Sequence, residues 1–581
     1  MNVVLLFLVV LGAIGVTAVA QRKGLQPALI IVLVGFAVSF IPGIPRLDIP
    51  SEIILGAVLP PLLYSAALNF SFFSFVRSFG PILGLGVGLV VVTAAAVGVI
   101  GNLLVPSLTL ATAILLGAVV APPDAVTAVA IGRKLGLPRR IMDVLTGESL
   151  VNDAAALTLF TITVAAIAGT HTLFASPVVL FLYAAIIGAL IGLFLGVVTN
   201  VLRRYIKSAG LETVLGLMVP FAAYFIAEQL EASGVLAVVF AGFAVGTASV
   251  RVGYETRMQE RQVWSSVDVL LEAFVFAYMG LQLRFVIDDV TGAGLSAPLV
   301  FLAGAGVLLT VMVIRPIWVY GMFLVDSLAT RLHARKMEQI AEVLQGSGPR
   351  SDRLRARQAK VDELWARREE RVGREKRGPK RREREPRQPM TRAEGIVVSW
   401  TGMRGVVTIA AASGIPLVTA TGEDFPGRAV IQAIAFTVAV GTLLIQGATL
   451  PAVIRKVKLP DDSAQEKADA EKAAAIAQGA TVAVVREFAD NPPDGISTEM
   501  IEQVRSMAKR RVETVTALDA ESRSKASASF DLLQQRMVSA QREALIDALQ
   551  LGDVDVQAAT TLISHLDYQE AAAVARQANR L

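Results

Sequence analysis

The sequence predicts an all-α polytopic membrane protein: about 13 transmembrane helices in two inverted repeats with crossed broken helices, followed by a helical cytoplasmic tail. Three observations lead there. The 581-residue chain is 54% hydrophobic and only 18% charged, too apolar for a soluble globule of its size. Its apolar residues come in runs of bilayer length rather than soluble-core length. Positive charge also alternates from one short loop to the next, as it does in chains that cross a membrane repeatedly.

Thirteen apolar segments lie near residues 3–20, 27–42, 53–68, 80–104, 110–132, 144–169, 176–201, 212–229, 233–250, 263–285, 296–325, 396–417 and 429–455. No basic region precedes the first and no small-residue cleavage site follows it, so it reads as a retained helix rather than a signal peptide. Arginine and lysine gather after odd-numbered segments: Arg22 and Lys23; Arg77; Arg133, Lys134, Arg139 and Arg140; Arg203, Arg204 and Lys207; Arg251, Arg257 and Arg261. After even-numbered segments there are single arginines with acids nearby, such as Arg46, Arg284 and Arg428. The odd loops are therefore expected in the cytoplasm, the amino terminus outside and the carboxyl tail inside.

The chain divides accordingly. Residues 1–326 hold segments 1–11, 327–395 form a basic cytoplasmic loop, 396–457 hold segments 12 and 13, and 458–581 form a cytoplasmic helical tail. Between Arg331 and Glu394 stand 20 basic and 11 acidic residues, which leaves the rest of a +5 chain at −4. That loop reads as a solvated segment able to touch anionic lipid headgroups, and nucleic acid is not expected as a partner. The tail reads as a small regulatory domain or an oligomer contact.

Composition also excludes chemistry. Without cysteine there are no disulfides, thiolate metal sites or thiol catalysis. Histidines at 171, 333 and 565 offer little for a zinc site. The chain has neither a G-x-x-x-x-G-K-[S/T] segment nor H-E-x-x-H, so nucleotide hydrolysis and zinc proteolysis lack their parts. No enzyme activity and no resident cofactor are expected.

An ionisable residue at mid-membrane costs roughly 2.5–3.5 kcal/mol on insertion scales, so each needs a reason. In segment 5, Pro122 and Pro123 remove two amide donors and should break the helix just before Asp124. Broken backbone at that depth survives where protein or a water-filled cavity satisfies it; the competing reading is a proline kink capped by the aspartate. In segment 6, Glu148, Ser149, Asn152 and Asp153 fall at i, i+1, i+4 and i+5, on one helical face. These are hard oxygen ligands that suit alkali cations. A buried carboxylate there holds a proton or a cation, poorly both; the competing reading is an interhelical polar zipper.

In segment 11, Arg315 is always charged and needs an anion, with Glu148 the leading candidate; the alternative is a side chain snorkelling to the cytoplasmic face. In segment 12, Gly402 and Gly405 flank Arg404, which weakens the helix where it carries its charge; the alternative is an ordinary tilted helix. Segments 5 and 12, seven apart, run in opposite directions. Two interrupted helices in corresponding positions of inverted halves point to the central site of an ion-coupled secondary transporter.

GESLVNDAAAL (147–157) closely resembles the Glu-Ser-x-x-Asn-Asp signature of the monovalent cation/proton antiporter family, in its sodium/proton exchanger branch. APPDAVTAVAI (121–131) resembles that family's broken-helix motif and TGMRGVVTIA (401–410) its Gly-x-Arg-Gly motif. The resemblance covers roughly residues 1–456. It implies a 13-helix fold with a core and a dimerisation domain, hence a homodimer, in the plasma (inner) membrane.

The resemblance also implies roles. Asp153 carries the proton or sodium ion, with Glu148 and Ser149 in or beside the coordination shell. Asn152 stands where electrogenic relatives carry a second aspartate, implying one proton per sodium ion. Pro123–Asp124 supplies a backbone carbonyl and a polar wall. Arg315 pairs with Glu148, and Arg404 offsets half-helix dipoles at the crossing. The chain departs from the pattern in two places: Pro123, Asp124 and Ala125 replace Thr-Asp-Pro, and Ser65 stands where many members carry an acid.

The expected function is exchange of sodium, or of lithium or potassium, for protons by competition at Asp153 under alternating access. The alternatives are a cation channel, which usually assembles few spans symmetrically around a pore, and a pH or cation sensor with the tail as output.

Overall fold

In the computed structural model, the structure describes residues 3–578, apart from Asp48, residues 170–173, Ala175, Lys207, 346–389, Lys458, 460–462 and 491–519. Among the described residues the secondary structure is helical, with a single isolated β-bridge between Val418 and Asp424. Among the described residues nine helices are long and apolar enough to cross a membrane, and Pro27–Ser39, Ile54–Leu68 and Leu110–Val120 are shorter apolar helices. Large apolar side chains such as Phe7, Leu103, Phe194 and Leu302 face outward, as expected where lipid is the solvent and burial gains nothing over exposure. The basic loop read at 327–395 lies largely outside the described residues. What is described of it is the end of the long helix Ala297–Gln345 and the start of Arg392–Trp400.

The chain forms two compact units. One comprises Met1–Ser249, Gln259–Leu328 and Pro389–Pro460; the other comprises Val250–Met258, Ala329–Gln388 and Asp461–Leu581. In the second, helices Ser463–Asp490, Ala520–Gln550 and Val556–Ala578 share a small core of Ala473, Val538, Leu545, Ala559 and Ile563. There Arg257 pairs with Asp567, which also receives Arg542 at 3.2 Å.

In the first unit, helix packing relies on small residues. Segment 7 (Pro177–Arg203) carries Gly188, Gly192 and Gly196 at four-residue spacing; a Cβ at Gly188 would overlap the backbone of Ser233, the N-cap of segment 9 (Gly234–Ala248), and one at Gly192 or Gly196 would overlap that helix itself. Backbones in lipid approach closely through such stripes, because dispersion rather than the hydrophobic effect drives their association. In segment 4 a π-turn at Gly84–Gly88 interrupts the α pattern, and the Gly84 carbonyl accepts the Trp318 indole N–H at 3.0 Å. The same carbonyl also accepts the Leu89 N–H that closes the π-turn, so it serves two donors.

Both helices expected to break do so. Segment 5 runs Leu110–Val120, loses helical form over 121–124, and resumes at Ala125–Lys134. Its first half begins at Thr109, whose hydroxyl accepts the Thr112 N–H. Segment 12 runs Arg392–Trp400, opens over 401–405, and resumes at Val406–Ser413. A capping box of Thr391 and Glu394 starts it.

Candidate functional site

The two breaks meet. The Asp124 N–H donates to the Met403 carbonyl at 2.6 Å, a backbone hydrogen bond that joins one interruption to the other. Gly405 is required by that approach: a Cβ there would overlap the Asp124 carboxylate. Gly402 likewise leaves room for the Arg315 side chain. The sequence had suggested only that these glycines weaken a helix; the structure shows that they also admit neighbours.

Four half-helix ends converge here, two C-terminal and two N-terminal. Arg404, fully buried, donates from its guanidinium to the Ala121 carbonyl at the end of the first half-helix, where a cation opposes the partial negative charge of open carbonyls. Its backbone N–H donates to the Thr442 hydroxyl at 2.9 Å. Among the described residues its Nε and Nη2 have no partner.

Segment 6 (Arg139–Ala168) lies against this crossing. Asn152, fully buried, donates its amide to the Pro123 carbonyl at 2.7 Å, which satisfies an acceptor freed by the broken helix. The Asn152 Oδ1 has no partner among the described residues. Asp153 is 6% exposed and lies within electrostatic reach of Asp124. Ser149, one turn earlier, is half-buried, as is Asp124.

Glu148 is occupied by Arg315 through a parallel fork of 2.5 and 2.8 Å, with both side chains almost wholly buried. Arg315 also donates through Nε to the Val398 carbonyl at 2.9 Å and lies 3.5 Å from the Thr401 hydroxyl. A planar guanidinium with several fixed donors suits such a junction. Asp153, in contrast, has no cationic partner among the described residues.

Sequence reasoning passed over two acids of segment 10, Asp268 and Glu272. Asp268 accepts from the Ser65 hydroxyl at 2.7 Å, at the position where the family pattern led one to expect an acid on segment 3. Glu272, one turn on, is within electrostatic reach of Asp124. The rule that intramembrane acids need a reason would have found both.

A family model described as sodium/hydrogen exchanger, transmembrane, matches residues 4–456. The chain belongs to the sodium/hydrogen exchanger family. Members of this family are membrane transporters, not enzymes, and the chain is accordingly a multi-pass membrane protein. An uncharacterised Na(+)/H(+) exchanger of Mycobacterium tuberculosis is 28% identical over 566 residues, covering 96% of this chain and 91% of its own. The Na(+)/H(+) antiporter NhaH of Halobacillus dabanensis is 28% identical over 77% of this chain and 96% of its own, and ApNhaP of Aphanothece halophytica is 27% identical over 79% and 76%. The fold is similar to that of the sodium proton antiporter MjNhaP1 from Methanocaldococcus jannaschii, with a TM-score of 0.54 at 16% identity, over 78% of this chain and 97% of that one.

Proposed function

We propose that this exchanger carries sodium in trade for protons, one for one, with Asp153 as the group both occupants share. One observation carries the reading: beside the crossing of two interrupted helices stands a buried carboxylate, Asp153, with no cationic partner among the described residues. Glu148 is neutralised by Arg315, and Asn152 adds no charge and spends its amide on Pro123. Asp153 is thus the acid of that helical face left to hold either H⁺ or a metal ion. Ser149, one turn away on the same face, and the Pro123 carbonyl supply neutral oxygens of the kind alkali ions take. Asp124 adds a polar wall, and Glu148 supports the site through Arg315.

Facing one side, deprotonated Asp153 takes sodium; facing the other, it gives up sodium for a proton. A bare carboxylate crosses poorly because its charge is expensive at mid-membrane, so loaded forms move and the two fluxes are coupled. The same reading assigns 13 spans, a homodimer, a cytoplasmic tail at 458–581 and an external amino terminus, the last from the alternation of loop arginines.

The test is dissipation of an imposed pH gradient in proteoliposomes, titrated with sodium, lithium and potassium and repeated under a membrane potential. Sodium should collapse the gradient with saturation and without sensitivity to the potential. A gradient indifferent to every alkali cation would overturn the exchange reading, and one collapsed only in step with the potential would overturn the one-for-one ratio.

A further inference from the structure

The three helices of the second unit do not close their core alone. Val250, in the loop after segment 9, packs against their cluster of Ala473, Val538, Leu545 and Ile563. Arg257, seven residues on and buried, commits its whole guanidinium there. Its Nε donates to one Asp567 oxygen at 2.9 Å and its Nη2 to the other, while Nη1 donates to the Val250 and Val252 carbonyls. Asp567 is itself 1% exposed. A fork of charge-assisted bonds fixes geometry as well as adding strength. An arginine that reads in the sequence only as a marker of the cytoplasmic side is here locked into a fold.

Arg257 stands in the first turn of Tyr254–Leu281, the 28-residue helix that carries segment 10. That helix begins in the second unit and continues in the first. It has no proline, and no glycine before Gly280, so it lacks the usual causes of a kink. About 22 Å along it from Arg257 stands Glu272, within electrostatic reach of Asp124 and Asp268. Between the two ends Glu260 receives Arg203 and Asp268 receives the Ser65 hydroxyl. Charged Asp268, Glu272 and Asp124 repel one another. The position that these tethers give the helix therefore fixes how much negative potential reaches the crossing, and negative potential concentrates cations. The match to the family ends at residue 456, so the Asp567 tether lies beyond the shared portion of the chain.

We propose that the tail tunes the exchanger: through Asp567 it holds Arg257, and so keeps segment 10 where Glu272 and Asp268 strengthen the hold of the site on sodium. Exchange continues without this grip, at lower sodium affinity. The proposal rests on the exchange reading for its ion, and adds to it a pair of residues remote from the crossing. Arg203 and Ser65 tether the same helix from segments 7 and 3, so the loss of one tether relaxes the helix without freeing it. The effect falls on affinity rather than on the existence of transport.

Asp567→Asn and Arg257→Gln each remove half of the fork. In full-length protein in proteoliposomes, each should raise the sodium concentration for half-maximal proton flux about fivefold, with the maximal rate nearly retained. The double variant should be no worse than either single, since both break one grip. Arg542→Gln, which loses Glu570 and its own contact with Asp567 but leaves the Arg257 fork, should match the wild type. Unchanged half-saturation in both fork variants would overturn the proposal. So would an equal shift in Arg542→Gln, the sign of a tail loosened in general. Size exclusion checks that each variant is folded. If the fork variants do not fold, Val250→Ala loosens the same seat without stranding a charge and should shift half-saturation in the same direction. An unchanged value there, failure of all three to fold, or folded variants that no longer exchange would make the contact a structural brace and defeat the proposal. Absence of flux in the wild type would instead defeat the exchange reading itself.

Discussion

Arg315→Gln removes the cation from a pair in which both partners are almost wholly buried. What remains is the Glu148 carboxylate without its two charge-assisted hydrogen bonds. Breaking a buried pair by losing one partner costs about 3–5 kcal/mol, mostly because the survivor is stranded. Glutamine can still reach toward the Val398 carbonyl that now accepts Arg315 Nε, so the lower half of that range is expected. Glu148→Gln should cost a similar amount by stranding Arg315. The double variant strands neither charge, and its cost should fall well short of the two singles added together. The assay is the fraction of monodisperse protein left after heating in detergent, read by fluorescence-detected size exclusion, with the four proteins arranged as a double-mutant cycle. Strict additivity would refute the reasoning, since partners in one buried network must couple.

Two further perturbations follow from the geometry. Gly405→Ala places a methyl group against the Asp124 carboxylate where the backbones are tied by the Asp124–Met403 bond; a loss of about 1–3 kcal/mol together with exchange activity is expected, and normal flux in proteoliposomes would contradict it. Asn152→Ala leaves the Pro123 carbonyl unpaired in the broken stretch, at a cost of about 1–3 kcal/mol, visible as earlier thermal inactivation with sodium binding weakened but present.

The sequence carried the architecture because its determinants are local. Adjacent prolines at 122 and 123 cannot continue a helix, and apolar runs of bilayer length cannot stay in water. Contacts between distant residues were legible only where a charge demanded a partner. An arginine in mid-membrane requires an anion, and the structure shows Arg315 on Glu148. Ser65 on Asp268, Trp318 on the Gly84 carbonyl, and Arg46 on Asp289 were invisible. Each depends on which helix turns face one another, on a π-turn without a sequence signature, or on an exposed loop whose charge needs no partner. Asp268 and Glu272 were readable as intramembrane acids; the signature on segment 6 drew attention away from them.

Proton counting on sodium binding tests the account most directly. Purified protein titrated with sodium by calorimetry, in buffers of different ionisation enthalpy, reports how many protons leave per ion bound. At a pH where Asp153 starts protonated, about one proton should be released for each sodium taken up, and Asp153→Asn should bind neither sodium nor release a proton. Sodium binding with no proton released, or binding that survives in Asp153→Asn, would contradict the claim that the two ions share one carboxylate.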